Sequence, residues 1–175
     1  PVIVLPYIPS TITVHLGLPD QWAENVTVSF PDYVKNVASS EIYPTWELSA
    51  IRANVLAIIS FALNRVYTEH YRNRGYDFTI TSSTAYDQKF IYGRNIYSNI
   101  DRLVDSIFAN YLSRPGVRQP ILTQYCDGRK VLCPRWMTQW GSCSLGQQGY
   151  SPIEILRYYY GDSMYINTAE QIAGI

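Results

Sequence analysis

The feature that most constrains this chain is the long apolar-periodic run "WELSAIRANVLAIISFALNRVY" (46–67). Ile51, Val55, Ile59, Leu63 and Val66 recur at spacings of three and four, the period of one helix face. Ala50, Ala53, Ala57 and Ala62 allow close packing. The pattern predicts a helix from about Trp46 to Tyr67 with Thr45 as its cap. Most of such a helix is scaffold, and it becomes the centre of the fold.

Around it the periodicities change. "TITVHL" (11–16) and "NVTVSF" (25–30) alternate apolar and polar residues, and "GLPDQ" between them is turn chemistry, so a hairpin is expected. "PDYVKNVASSEIY" (31–43) reads as a short helical turn or a loop. "NRGYDFTITSSTAYDQKFIYGRN" (73–95) is turn-rich around a strand-like "DFTIT". A second helix is expected over about 96–113, ended by "RPGVRQP". "ILTQYCDGRKVLCP" (121–134) reads as a strand, an Asp127-Gly128 turn and a returning strand. "TQWGSCSLGQQG" (138–149) reads as a short helix. The last helix carries the fullest signature: Ser151 as cap, Pro152 at the first position, Glu154 completing a capping box, and Gly161 as stop. The architecture expected is α+β in one domain, a long central helix and shorter ones packed on antiparallel β-hairpins.

Composition bounds the function. With 175 residues, 47% hydrophobic and 16% charged, the chain is long enough for a real core. Fourteen basic and fourteen acidic residues cancel. That balance offers no electrostatic reason to bind nucleic acid or an anionic membrane. No apolar run reads as long enough to span a bilayer, so no transmembrane segment is expected. The opening "PVIVLPYIPS" lacks the charged n-region of a signal peptide. Sixteen tyrosines and four tryptophans suit surfaces that stack on sugars or pack at interfaces.

Candidate chemistry narrows by elimination. Cys126, Cys133 and Cys143 lack a fourth zinc ligand nearby, since His15 and His70 are distant in sequence, and no metal is expected. Two states stay open for Cys126 and Cys133: a disulfide across a short hairpin in an exported protein, or free thiols. Neither histidine sits in a nucleophile signature, and both read as surface or structural residues. There is no P-loop, no G-x-G-x-x-G and no G-x-S-x-G, so no cofactor is expected. Glu41 remains. It follows the hydroxyls Ser39 and Ser40, precedes Tyr43 and Trp46, and has no Lys or Arg within five positions. Apolar walls raise a carboxyl pKa, and a carboxyl protonated near neutrality is a general acid. The residues alone fit a second reading better, a carboxylate accepting backbone amides at the start of the long helix.

Four stretches then weigh on that choice. "YVKNVASSEIYPTWELSAIRANVLAIISFAL" (33–63) resembles the opening motif of the SpoIID/LytB domain, with tyrosine-valine, alanine-serine-glutamate, a proline and a helix. "STAYDQKFIYGR" (83–94) resembles that family's Asp-Gln segment. "ILTQYCDG" (121–128) resembles its strand ending in glycine, and "MTQWGSCSLGQQGYSPIEILRYYYG" (137–161) its closing motif. The resemblance covers about residues 26–161. It implies a bacterial cell-envelope or spore protein, a domain cut from a longer cell-wall protein, with peptidoglycan glycan strands and other cell-wall or sporulation proteins as partners.

The resemblance places the family's catalytic acid on Glu41. It implies a lytic transglycosylase that cleaves the bond between N-acetylmuramic acid and N-acetylglucosamine and leaves 1,6-anhydro ends. One carboxyl would carry both proton transfers, unlike the paired acids of hydrolytic glycosidases. Substrate contacts implied by motif are Ser40, Arg52, Asp87, Gln88, Tyr92, Tyr125 and Gln139. The chain departs from the family in three places. Ile58, Ile59 and Ser60 replace an alanine-arginine-threonine triplet. "DFTITSSTAYDQ" lacks the Cys/His zinc pattern of some relatives. "CPRW" (133–136) replaces a glycine-histidine-glycine. Two other functions fit the same residues: a non-catalytic glycan-binding or amidase-enhancer module, and a structural protein of a spore or envelope assembly.

Overall fold

In the computed structural model, which describes residues 7–168, 170 and 171, the early alternating segments form the expected hairpin. Most of the opening "PVIVLPYIPS" lies outside the described residues. After the short strand β1 (Tyr7–Ile8), β2 (Thr11–His15) and β3 (Asn25–Ser29) pair antiparallel, Thr11 opposite Ser29 and His15 opposite Asn25. Ile12, Val14 and Val26 turn into the core.

The ambiguous segment that follows is a full helix, α1 (Phe30–Glu41). Its start is strongly specified. Ser29 ends β3 and is also the N-cap, accepting from the Asp32 amide at 3.2 Å, while Pro31 occupies the first turn, where no N–H is needed. Phe30, Tyr33, Val34, Val37 and Ala38 bury one face.

The central helix is α2 (Leu48–Thr68). Its N-cap is Glu47, not Thr45. Residues 43–47 form a turn in which the Trp46 amide donates to the Tyr43 carbonyl, leaving Thr45 and Trp46 outside the helix. Burial is wider than one stripe: from Ala50 to Arg65 every residue but Arg52 is buried. Ile51, Val55, Ile58, Ile59, Ala62 and Leu63 join one apolar cluster, and Ala53, Leu56 and Ala57 join a second. A helix apolar nearly all round must be enclosed. The expectation that no run is apolar enough to span a bilayer is corrected here. Leu48–Arg74 meets that test by length and composition, but 83% of its most apolar window is buried inside the fold, as in a core helix.

Polar groups on α2 are pegs for other segments. Asn54 Nδ2 donates to Ser142 Oγ at 2.8 Å, Ser60 Oγ to the Ile121 carbonyl at 2.9 Å, and Asn64 Nδ2 to the Pro120 carbonyl at 2.8 Å. Thr123 Oγ1 reaches back to the Ala57 carbonyl at 2.6 Å. Buried polar groups must be paired, so these contacts fix how residues 120–123 cross the helix.

Strand β4 (Ile80–Thr81) adds to β2 in parallel. The helix expected over 96–113 is shorter: α3 (Ser98–Ile107) stops, Ala109 takes a positive φ of 86°, and the chain continues as β5 (Asn110–Ser113). The hairpin expected over 121–134 is also corrected. β6 (Tyr125–Cys126) pairs in parallel with β7 (Met137–Thr138), and the Asp127 carboxylate accepts the amides of Arg129, Lys130 and Val131. Those amides are used in a loop and cannot form a ladder. α4 (Gln139–Gln147) and α5 (Pro152–Tyr160) follow, the latter with both halves of its capping box formed. β8 (Tyr165–Thr168) pairs antiparallel with β5, and β9 (Glu170–Gln171) pairs in parallel with β1. The result is a mixed α+β fold around α2, with small sheets of both pairing types.

Candidate active site at Glu41

Glu41 is the last residue of α1 and not a cap of the long helix. This overturns the capping-acid reading, because a helix C-terminus disfavours a negative charge. The carboxyl is held from two sides. Oε1 accepts the Lys89 amide at 2.9 Å, and Oε2 lies 3.4 Å from Gln139 Nε2. Burial pushes its pKa up to about 7, against the opposing pull of the Lys89 amide, the Tyr125 hydroxyl and the Gln139 amide. The residue as a whole is half-buried.

Tyr125 stands beside this carboxyl. Its hydroxyl is buried and, among the described residues, is the one such side-chain atom without a well-formed hydrogen bond. Its polar neighbours are Glu41 and Gln88, and burial with the Glu41 charge pushes its own pKa well up. The result is a protonated phenol close enough to favour the Glu41 anion.

The last turns of α1 also grip the 88–97 loop. Asn36 acts like a strand edge, with Nδ2 donating to the Ile91 carbonyl at 2.7 Å and Oδ1 accepting the Ile91 amide at 2.9 Å. Ser39 Oγ accepts the Tyr97 amide at 3.3 Å. Ser40 Oγ donates to the Asn36 carbonyl and receives Arg94 Nη1 at 3.3 Å. Ser40 is thus next to the acid but committed to the loop. The grip delivers the Lys89 amide to Glu41.

Asp87 and Gln88 lie behind that contact. The Asp87 side chain has no exposed surface. It meets Arg65 Nε at 2.8 Å, the Tyr71 hydroxyl at 2.5 Å, and both the amide and hydroxyl of Thr81. Buried Gln88 accepts from the Tyr33 hydroxyl at 2.9 Å and donates to the Ile58 carbonyl at 3.0 Å. Both side chains are fully engaged inside the protein, where they anchor the loop. Tyr92 is on the exposed side of that loop, next to Phe90. Arg52 is on the exposed flank of α2 and is not among the groups that touch the Glu41 carboxyl.

The groove beside Glu41 is aromatic. Tyr43, Trp46 and Trp140 form a triangle with ring centroids 4.9 to 5.9 Å apart, and together with Thr45, Glu47, Cys143 and Gln147 they line a cavity of about 410 Å³. The Arg129 guanidinium lies 3.4 Å over the Trp140 ring. Trp140 follows Gln139, so one turn of α4 supplies both a carboxyl contact and a groove wall. Its seat depends on Gly141, where a Cβ would come within 2.1 Å of Tyr159 Oη and 2.2 Å of Thr138 Oγ1. None of the three rings was among the motif-derived contacts. Tyr43 and Trp46 had a signal, their proximity to Glu41 in sequence; Trp140 had only its place in the closing motif.

The remaining candidates sort simply. Cys126 and Cys133 form a disulfide, with Cα atoms 6.2 Å apart. Burial raises the pKa of the Cys143 thiol, which keeps it a poor nucleophile. His15 is a buried brace, its ring nitrogens within hydrogen-bonding distance of Asn25 Oδ1 and of the Leu18 and Gln21 carbonyls. Among the described residues no group of three or more His, Cys, Asp or Glu is gathered as for a metal.

The sequence matches the family model of SpoIID, stage II sporulation protein, over residues 20–107. That stretch contains α1, Glu41, α2 and the loop that binds the carboxyl, and it covers half of the chain. The chain belongs to the SpoIID family. Membership links this SpoIID-family chain to sporulation and to degradation of the cell wall. No curated protein matches the sequence significantly. Tyr125, Gln139 and Trp140 lie beyond the matched stretch. Ile59 is fully buried among apolar side chains.

Proposed function

We propose that this SpoIID-family chain is a lytic transglycosylase that cleaves peptidoglycan glycan strands, with Glu41 as its general acid and base. The observation that carries the reading is a single carboxyl with a pKa of about 7, held by the Lys89 and Gln139 N–H groups, with Gln139 next in the chain to Trp140 of the aromatic cavity. Protonated Glu41 donates to the glycosidic oxygen as the bond from that oxygen to muramic acid C1 breaks. The carboxylate left behind is held by the Lys89 and Gln139 N–H groups, with the Tyr125 phenol beside it. It then takes the proton of the 6-hydroxyl, whose oxygen bonds to C1 and closes the 1,6-anhydro ring. Glu41 ends protonated, and no water is consumed. One acid suffices, where a hydrolytic pair would need a second carboxylate.

Tyr43, Trp46 and Trp140 offer faces on which sugar rings stack. The Cys126–Cys133 disulfide favours an oxidising compartment, which supports a place in the envelope or spore. Ser40, Asp87 and Gln88 take positioning roles in this reading, and Tyr125 and Gln139 touch the acid itself.

The test is release of anhydro-muropeptides from purified peptidoglycan. Glu41→Gln is expected to lower it by about 10²–10⁴-fold while cell-wall binding persists. Binding by the wild type with no new anhydro ends would instead identify a glycan-binding module, and retained activity in Glu41→Gln would overturn the mechanism.

A further inference from the structure

The loop between Cys126 and Cys133, with the residues just after it, presents apolar side chains to solvent where a soluble surface has no use for them. Leu132 is 83% exposed, Val131 58% and Trp136 39%. The loop is held in shape. The disulfide closes its ends, and the Asp127 carboxylate accepts the amides of residues 129–131 from inside. Val131 and Leu132 therefore point outward from a stiff ring.

The charge around the tip is one-sided. Arg129, Lys130 and Arg135 are exposed, and the single acid of residues 126–136, Asp127, is occupied by backbone amides. The Arg129 guanidinium is taken up by the Trp140 ring, which leaves exposed Lys130 and Arg135 as the cations beside the apolar tip. Two adjacent aliphatic side chains, a half-exposed tryptophan and flanking cations match the interfacial zone of a bilayer. There the apolar tip enters the acyl boundary, the indole sits at headgroup level and the cations meet anionic headgroups.

We propose that this disulfide-closed loop is a membrane-surface anchor for anionic phospholipid, with Val131, Leu132 and Trp136 as the inserting groups and Lys130 and Arg135 as the headgroup contacts. The loop springs from the strand carrying Tyr125 and returns through the strand leading to Gln139. Anchoring would therefore hold the Glu41 groove against the membrane face. The anchor stands on its own observations and does not depend on the reaction assigned to Glu41.

The experiment is co-sedimentation of the oxidised full chain with vesicles of phosphatidylglycerol and phosphatidylcholine in equal parts, and with pure phosphatidylcholine, at low and at 150 mM salt. Binding to the mixed vesicles is expected, weakened by salt and at least roughly tenfold weaker for pure phosphatidylcholine. Val131→Ser/Leu132→Ser and Lys130→Glu/Arg135→Glu are each expected to weaken it by roughly tenfold or more. Circular dichroism and the melting temperature check that both variants are folded. Wild-type protein that ignores anionic vesicles, or binding that both double variants leave intact, overturns the anchor. Stable capture of a protein partner without vesicle binding overturns it as well. Loss of vesicle binding with unchanged cleavage of soluble glycan supports it and leaves the Glu41 reading standing.

Discussion

Gln139 Nε2 lies 3.4 Å from Glu41 Oε2, across 98 positions of chain. This contact ties the closing motif to the opening one at the atoms where the chemistry is proposed. It favours the charged form of Glu41 and so lowers its pKa from where burial alone would put it. In Gln139→Leu the pKa should rise. The basic limb of the pH–rate profile, set near pH 7 by loss of the Glu41 proton, should move to higher pH. A limb that stays put or moves down would show that Gln139 does not act on this carboxyl.

Stability should depend on pH through the same group. The folded-state pKa of about 7 is raised from an ordinary value of 4.5. A raised acid binds its proton more tightly in the folded state. Its favourable contribution is therefore complete below about pH 4.5 and is lost as pH rises through 7. Glu41→Gln removes that loss. Urea denaturation should show the variant close to wild type at pH 4.5 and more stable by about 1–3 kcal/mol at pH 8, a range discounted for the partial exposure of the residue. Equal stabilities at pH 8 would mean that the carboxyl is well solvated.

The Arg65–Asp87 pair is a buried structural lock. Asp87 accepts from Arg65, Tyr71 and Thr81, and its side chain has no exposed surface. Asp87→Asn leaves the Arg65 cation buried without its counter-charge. A loss of about 3–5 kcal/mol is expected in chemical denaturation. A loss below about 1 kcal/mol would mean that water replaces the carboxylate.

Replacing Cys126 and Cys133 together by serine opens the loop that separates Tyr125 from Gln139. For so short a ring, loop-closure entropy predicts a loss of about 2–3 kcal/mol. Cleavage should fall further than unfolding alone explains, because both residues bracket Glu41. Full activity per folded molecule would show that β6 and β7 hold the site without the crosslink.

The legible parts were those signalled within a few residues. The capping box at Ser151 and Glu154 and the alternation in β2 and β3 are local, and both formed. α1 carried a similar start signal in Ser29, Pro31 and Asp32, but the strand pattern reads on through Phe30 and hides it. The break at Ala109 has no glycine or proline to mark it, and β5 is stabilised by β8, more than fifty residues away in sequence. The same distance hides the groove, where Trp140 meets Trp46 only after α4 docks against α2. Overall charge neutrality concealed the cations gathered around Val131 and Leu132. Glu41 itself was visible by motif, whereas its raised pKa comes from packing that spacing does not encode.

Ser29 is both the last residue of β3 and the cap of α1, so no linker separates the strand from the helix that ends at Glu41. The distance from Asn25 to the carboxyl is thus a count of residues. One residue added or removed within α1 would turn Glu41 by about 100° and shift it by about 1.5 Å. Between Asn25 and Glu41 the chain works as a ruler, and relatives that keep the acid should keep that count.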